Sequence, residues 1–250
     1  MRLKDYLELW RSSSRRSRSE QDYRRFQSVQ ASLLIDYLNR HGLPIRGKNL
    51  LDLGSGVAGY SQTMVEAGAR VISLDLVQPR IASMAGLDQV SASALAIPLP
   101  AASIEFVFCA SLIEHVAAPE VVLAEAWRVL KTGAYAYFSF PPYYSPMGGH
   151  EYAPYHYLGE KVALRLVQHR SVLPEWVSRM HHASQAPASF ADLYQGWGLY
   201  RMTIRRFRRL LRHSPFSVLD ISTRYMPVSF VRWPMVGEVL TWHAQFLLKK

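Results

Sequence analysis

The stretch Leu50-Leu51-Asp52-Leu53-Gly54-Ser55-Gly56-Val57-Ala58-Gly59 decides the reading of this chain. Four residues with three large aliphatic side chains form a short buried strand. Three glycines within six positions then make a turn that no side chain obstructs. A strand feeding such a turn and then a helix brings backbone amides close to a bound ligand. Asp75 stands 21 residues after Gly54, at the end of a second apolar run, 70–74. A carboxylate at that spacing can accept hydrogen bonds from both hydroxyls of a ribose. The same glycines fit the dinucleotide pattern Gly-x-Gly-x-x-Gly, so they leave NAD and other adenosyl ligands open. They equally suit a turn that only packs a helix tightly against a strand.

Working outward, the pattern alternates strand and helix. Helical spacing covers 21–41, ended by Gly42 and Pro44. Strands are expected at 49–53, 70–74, 89–91, 104–110 and 134–140, with helices at 60–67 and 120–130 between them. Strands that read as solid apolar runs indicate a parallel sheet covered on both faces. Past Pro142 the rhythm breaks into an aromatic, His-, Pro- and Gly-rich segment, 142–200, with a helix expected at 160–168. A helix at 202–212 and strands at 216–223 and 239–248 follow, suiting an antiparallel pair at the sheet edge. The organisation expected is a basic, helical N-terminal segment, 1–45, and one domain, 46–250, with 142–200 as an acceptor-side insertion or lid.

Composition narrows the class. Of 250 residues 49% are apolar, enough for a full core. The single Cys109 forbids an internal disulfide and a cysteine zinc cage, so a reducing, cytoplasmic setting is expected. The first apolar residues are interrupted by Lys4, Asp5 and Glu8, unlike a secretory leader. The uncharged stretch 89–104 contains two prolines and is too short to span a bilayer. Charge is uneven: net +6 over 1–50, −6 over 51–160 and +10 over 161–250. The runs Arg11 to Arg18 and Arg201 to Arg212 suit phosphate-bearing partners, an anionic membrane surface or nucleic acid. They equally suit a mobile arm and a solvated helix face. Phe207, Leu210 and Leu211 interleave the second run, as in an interfacial helix or one packed on a sheet.

Asp52 separates the ligand classes. A carboxylate two residues before the first glycine would crowd a pyrophosphate and favours a cofactor with a cationic amine. Here the chain resembles the class I S-adenosylmethionine-dependent methyltransferases, in their small-molecule branch. The resemblance runs over about 48–141 and is carried by Leu51-Asp52-Leu53-Gly54-Ser55-Gly56, Asp75, Ala96-Ile97-Pro98-Leu99-Pro100, Phe106-Val107-Phe108, Leu112-Ile113-Glu114-His115-Val116 and Glu125-Ala126-Trp127-Arg128-Val129-Leu130-Lys131-Thr132-Gly133. It implies an α/β, Rossmann-like sheet of seven mostly parallel strands, helices on both faces and the last strand antiparallel. It also implies S-adenosylmethionine as cofactor. Gly54, Ser55 and Gly56 would lie against its methionine part, Asp52 near its amino group and Asp75 on the ribose, with Leu76, Ser93, Ala94 and Ser111 completing the site. Ser93-Ala94 stand where the family often has Asp-Ala, Glu105 where it has Asp, and Ala58 where many relatives have glycine.

In this fold the acceptor lies beyond the fourth and fifth strands, where 111–116 and 141–158 project. Gly148-Gly149 would permit a turn that aims His150 inward. His150 titrates near neutrality and is the candidate general base, Glu151 its orienter or a second base, and His115 a further candidate. Each histidine could equally make only a structural hydrogen bond. A metal reading would need His150, Glu151 and His156 to converge, and their spacing fits no usual ligand pair, so none is expected. Tyr143, Tyr144, His156 and Tyr157 could hold a sugar or flat acceptor, or pack beneath a lid. The run Ser145-Pro-Met-Gly-Gly-His-Glu151 is similar to a sub-branch associated with cell-surface glycans.

The function expected is methyl transfer to a small-molecule or glycan-like acceptor, glycolipid included, probably at oxygen. An NAD-dependent oxidoreductase is the alternative enzyme, weakened by Asp52. A non-catalytic module binding nucleic acid or a membrane surface is the alternative outside enzymes. A nucleic-acid methyltransferase is disfavoured because Phe140-Pro-Pro-Tyr143 replaces the polar amide of the flipped-base motif.

Overall fold

The structure, a computed structural model, describes residues 3–78, 81–167, 198–226 and 228–250, apart from the Glu151 side chain. The run to residue 45 folds as two helices, α1 (Leu3–Arg15) and α2 (Glu20–Arg40). Ser19 separates them: its hydroxyl accepts from the Asp22 amide and starts α2. The arginine run therefore sits largely on a helix.

Seven strands follow: β1 (Asn49–Leu53), β2 (Arg70–Asp75), β3 (Leu87–Ser91), β4 (Ile104–Ala110), β5 (Leu130–Phe140), β6 (Ser217–Thr223) and β7 (Ala244–Lys249). They pair in the order β3-β2-β1-β4-β5-β7-β6. All neighbours are parallel except β7, antiparallel to both β5 and β6. This is the expected mostly parallel sheet with an antiparallel last strand.

Alternate strand residues feed two cores. Leu50, Val71, Phe106, Phe108, Tyr137 and Leu247 pack with Leu34 and Leu38 of α2 and with Tyr60 and Met64 of α3 (Gly59–Glu66). Leu51, Leu53, Val107, Phe138 and Phe246 face the other way. They meet Val122 and Ala126 of α4 (Pro119–Val129), and Phe207 and Leu211 of a later helix, Ile204–Arg212. Burial of both faces is why the strands read as unbroken apolar runs. Beyond β5 come two 3-10 turns, His150–Tyr152 and Tyr155–Leu158, and α5 (Glu160–Val167); much of the rest of the segment expected as an acceptor-side insertion or lid falls outside the described residues.

The helix Ile204–Arg212, α6, turns Ile204, Phe207 and Leu211 into the core, so its apolar face is consumed by packing. Two boundaries differ from expectation by more than two residues. The expected last strand, 239–248, begins only at Ala244, because Val236–Leu240 forms a short helix, α7. There Glu238 accepts from the Ile204 and Arg205 amides at 2.9 and 2.8 Å, and capping α6 holds that turn helical. β5 begins at Leu130, immediately after α4, with Gly133 inside it at φ +78°.

Candidate active site

At the end of β1 the chain bends across β2: the Gly54 and Ser55 amides both donate to the Leu74 carbonyl, at 2.8 and 3.2 Å. Gly54 and Gly56 hold φ +74° and +55°, where a side chain is strained. A Cβ on Gly54 would also come within 2.9 Å of the Leu112 Cβ. At Gly56 the nearest atom to an added Cβ is 3.7 Å away, so the turn is open above it. The Gly56 amide donates to Asp75 Oδ2 at 2.9 Å, which sets that carboxylate at the mouth of the turn. The third glycine has another task. A Cβ on Gly59 would lie 2.6 Å from the Arg24 carbonyl oxygen and 2.7 Å from Gln27 Cβ, so it lets α2 press against α3. Ala58 takes φ +60°, which explains a glycine preference there.

Asp52 lies deeper than the sequence suggested. Its side chain is closed off beneath α3, where the Ser61 hydroxyl donates to Oδ2 at 2.5 Å. Burial pushes its carboxyl up to about 7; the Ser61 hydrogen bond opposes this and the charge of Asp75 adds to it. Ser55 Oγ is buried and has no hydrogen-bond partner among the described residues. Leu76, just past Asp75, is 72% exposed. Ser93 Oγ accepts from the Leu95 amide at 3.1 Å and Ala94 is buried. The following loop is clamped to α4: Glu125 accepts from the Ile97 amide, and Arg128 donates to the Ile97 and Leu99 carbonyls, all at 2.7 Å.

Beyond β4 the chain turns at Ser111, φ +54°, whose hydroxyl pairs with His243 Nε2 at 3.1 Å. The 3-10 turn Ile113–His115 drives Glu114 inward to 2% exposure, with neither carboxylate oxygen accepting a hydrogen bond among the described residues. His150 comes to it from the segment after β5, Nε2 3.5 Å from Glu114 Oε1. His115 completes the group: its Nδ1 pairs with the Gly198 carbonyl at 2.7 Å, and its ring centroid is 4.8 Å from that of His150. Burial pushes the Glu114 carboxyl up to about 7 and the His150 imidazole down to about 4. Both shifts favour uncharged forms, as for an acid and a base sharing one proton in a dry site.

The left-handed residue of this turn is His150 itself, at φ +46°, rather than either preceding glycine. Gly148 and Gly149 are small for want of room: a Cβ on the first would collide with the Pro142 and Tyr143 carbonyls, and one on the second with the His156 ring. Among the described residues, Glu114, His115 and His150 form a group able to hold a cation, with ligand atoms within 4.8 Å of one another. His156 stands apart, 1% exposed, with Nε2 on the Tyr143 carbonyl at 2.9 Å. Tyr143 donates to the His156 carbonyl at 2.7 Å, Tyr157 to that of Tyr144 at 3.0 Å, and the Arg201 guanidinium covers the Tyr144 ring. These four candidates form one knot. Glu151, expected as the orienter of His150, has its side chain outside the described residues. Glu114 stands in the position that reading gave to Glu151. Its signal in the sequence was a carboxylate at the edge of an apolar run.

The sheet order tells against a dinucleotide fold, which runs 3-2-1-4-5-6 without an inserted antiparallel strand. Residues 51–138 match the family model described as "Methyltransferase domain". Over those residues the chain is similar to methyltransferase domains. It is 31% identical over 155 residues to an uncharacterized methyltransferase of Mycobacterium leprae, covering 58% of this chain and 57% of that one. A similar protein of Mycobacterium avium is 32% identical over 141 residues, covering 53% and 55%. The chain thus spans little more than half the length of these curated relatives. A crystal structure described as an S-adenosylmethionine dependent methyltransferase from Mesorhizobium loti superposes with a TM-score of 0.54 at 16% identity, covering 84% of this chain and 95% of that one. This last likeness shows the fold. Among the described residues no helix is long and apolar enough to cross a membrane.

Proposed function

We propose that this protein is an S-adenosylmethionine-dependent methyltransferase that acts on a hydroxyl of a small-molecule or glycan-like acceptor, glycolipid included, in the cytoplasm. One observation carries the reading: Asp75 meets the Gly56 amide at the mouth of a glycine turn that is open above Gly56. The turn fits the cofactor, because its amides and the buried, unpartnered Ser55 Oγ can meet a methionine moiety while Asp75 takes the ribose hydroxyls. Asp52 acts from beneath, as a buried carboxyl that favours a cationic amine at the turn. Leu76 offers an exposed apolar side chain for the adenine, and Ser93 and Ala94 lie on the clamped loop beside it. Ser111 borders the reacting end.

S-adenosylmethionine supplies a methyl group on a sulfonium centre, ready for displacement. The chain must then hold the acceptor in line, keep water out and receive a proton. Glu114 and His150 form the proton-handling pair, with His115 fixed beside them by its bond to Gly198. A carboxyl pushed up to about 7 is a base matched to neutral pH. Tyr143, Tyr144, His156 and Tyr157 shape the acceptor's floor through the knot they form. Residues 228–242 expose Trp233, Met235 and Trp242 beside Arg232 and the arginine face of α6, which supports contact with an anionic membrane surface.

Equilibrium titration with S-adenosylhomocysteine and with NADH tests the cofactor; tighter NADH binding overturns it. A screen of sugars and glycolipids with methyl-labelled cofactor tests the acceptor, and label carried only by nucleic acid would overturn that part.

A further inference from the structure

Arg224 follows β6 directly and its side chain turns into the protein, leaving the residue 5% exposed. The guanidinium donates to the Tyr60 hydroxyl at 2.8 Å, to Ser139 Oγ at 3.3 Å and to the Gln30 carbonyl at 3.4 Å. It lies over the rings of Tyr225, Tyr60 and Tyr137, at 4.6, 5.3 and 5.7 Å from their centroids. Every one of these partners is neutral. Among the described residues no carboxylate forms an ion pair with Arg224. Asp220, four residues earlier, is taken by the Tyr37 and Ser222 hydroxyls at 2.7 and 2.6 Å, and its other oxygen lies 3.8 Å from Arg232. His243 adds no negative charge; burial and the Arg224 cation hold its imidazole well below its usual range, so it is neutral.

A cation taken out of water without a counter-charge is among the costliest arrangements a core can hold. Cation–π contacts with three tyrosines relieve part of that cost and leave the net charge in place. A guanidinium has five N–H donors, and three hydrogen bonds account for three of them. The buried cation, its spare donors and an all-neutral surround together define a site for an anion. Entry is short, since Ser111 is exposed and His243 and Tyr225 are only half-buried. Tyr225 itself is held at φ +67°, a conformation that a tyrosine adopts only when its surroundings impose it.

The position says which anion. Arg224 leaves β6, crosses β7 and reaches Ser139 on β5, two strands from β1 and its glycine turn. At ~4.8 Å per strand that is about 10 Å from the turn. The Ser111 amide, at the end of β4, donates to the Ser139 carbonyl at 2.8 Å. The guanidinium thus stands on the far side of the β4 edge from Asp75, on the side left for the acceptor. We propose that Arg224 binds a carboxylate or phosphate group of the methyl acceptor, which makes that acceptor an anionic molecule. The inference rests on the methyl-transfer reading for the word acceptor, and on the buried cation alone for the anion.

The test uses the whole chain saturated with S-adenosylhomocysteine, titrated with inorganic phosphate and with acetate. Calorimetry and thermal melting give the readout. Wild type is expected to bind at least one anion and to melt higher with it. Arg224→Gln should weaken that binding tenfold or more while S-adenosylhomocysteine affinity is retained, and Arg224→Lys should recover part of it. Tyr225→Phe keeps the ring and charge, and should weaken anion binding severalfold, which keeps the test alive if Arg224→Gln does not fold. Equal binding by wild type, Arg224→Gln and Tyr225→Phe overturns the proposal, as does a wild type that binds neither anion. A tenfold loss of S-adenosylhomocysteine affinity in Arg224→Gln, with anions excluded by that ligand in wild type, overturns it by assigning the cation to the cofactor's carboxylate. Arg224-dependent anion binding in a protein that ignores S-adenosylhomocysteine would support the anion site and sink the methyltransferase reading instead.

Discussion

Two carboxyl groups, Asp52 and Glu114, are each raised by burial to about 7 from ordinary values of 3.8 and 4.5. Between about pH 4 and 7 the unfolded chain releases these protons while the folded protein keeps them. The folded state then binds more protons, so their contribution to stability is lost as pH rises through that window. Asp52→Asn should therefore flatten the fall and stabilise the protein at pH 8, by up to ~4 kcal/mol for a shift of this size, while weakening S-adenosylhomocysteine binding. Urea unfolding at pH 5 and pH 8 measures the first effect; an unchanged pH dependence would remove Asp52 as its source. Glu114→Gln should lower turnover by roughly 10²–10⁴-fold, keep cofactor affinity and abolish the rise in turnover across about pH 7. Wild-type turnover in that variant would clear Glu114 of any proton transfer. Gly54, Gly56 and Asp75 were legible because one strand–turn–helix–strand unit fixes their separation. Glu114, His150 and Arg224 were not gathered by the sequence, because their meeting depends on how three distant segments pack.

At the scale of elements, the third glycine belongs to the contact between α2 and α3. The Gly59 amide donates to Gln27 Oε1 at 2.9 Å, and the Arg24 Nε donates to the Val57 carbonyl at 3.1 Å. Gly59→Ala should cost about 1–3 kcal/mol through overpacking and loosen α2 from the turn. Gly133→Ala, with nothing within 4 Å but φ +78°, should cost only the ~1–2 kcal/mol of a left-handed residue. Chemical denaturation of both separates them, and equal losses would mean that the α2 contact adds nothing. β1, β2, β4 and β5 were readable from their apolar runs, because both faces of the sheet are buried there, whereas β3 is mostly exposed and only its last three residues were expected. The start of β7 was missed because Val236–Leu240 is as apolar as a strand, and only the capping of α6 by Glu238 makes it helical. α1 falls in the segment expected to be helical, 1–45, but its bounds were not set: Leu3, Tyr6, Leu7 and Trp10 recur at helical spacing, yet the helix buries only Ser12.

Across the whole molecule, the acidic middle segment, 51–160, carries the five parallel strands, and positive charge gathers in the segments that flank it. With Trp233 and Trp242 each at least half-exposed beside arginines, the protein should bind phosphatidylglycerol vesicles more tightly than phosphatidylcholine ones. Replacing both tryptophans by alanine should reduce that binding severalfold, as read by cosedimentation at low salt. Indifference to lipid charge would leave this apolar strip without the proposed role.

The antiparallel strand has a kinetic consequence. β7 slots between β5 and β6, pairing Tyr135 with Lys249 and Ser217 with Lys249 in the same rung. β6, although made earlier, therefore has no strand to join until β7 arrives. A ribosome delivering this chain would hold a half-built sheet whose β5 border stays unzipped through more than a hundred further residues. Closing so long a loop is slow. The closing rung is thus the step at which heat, crowding or a chaperone would decide between a finished sheet and an aggregate.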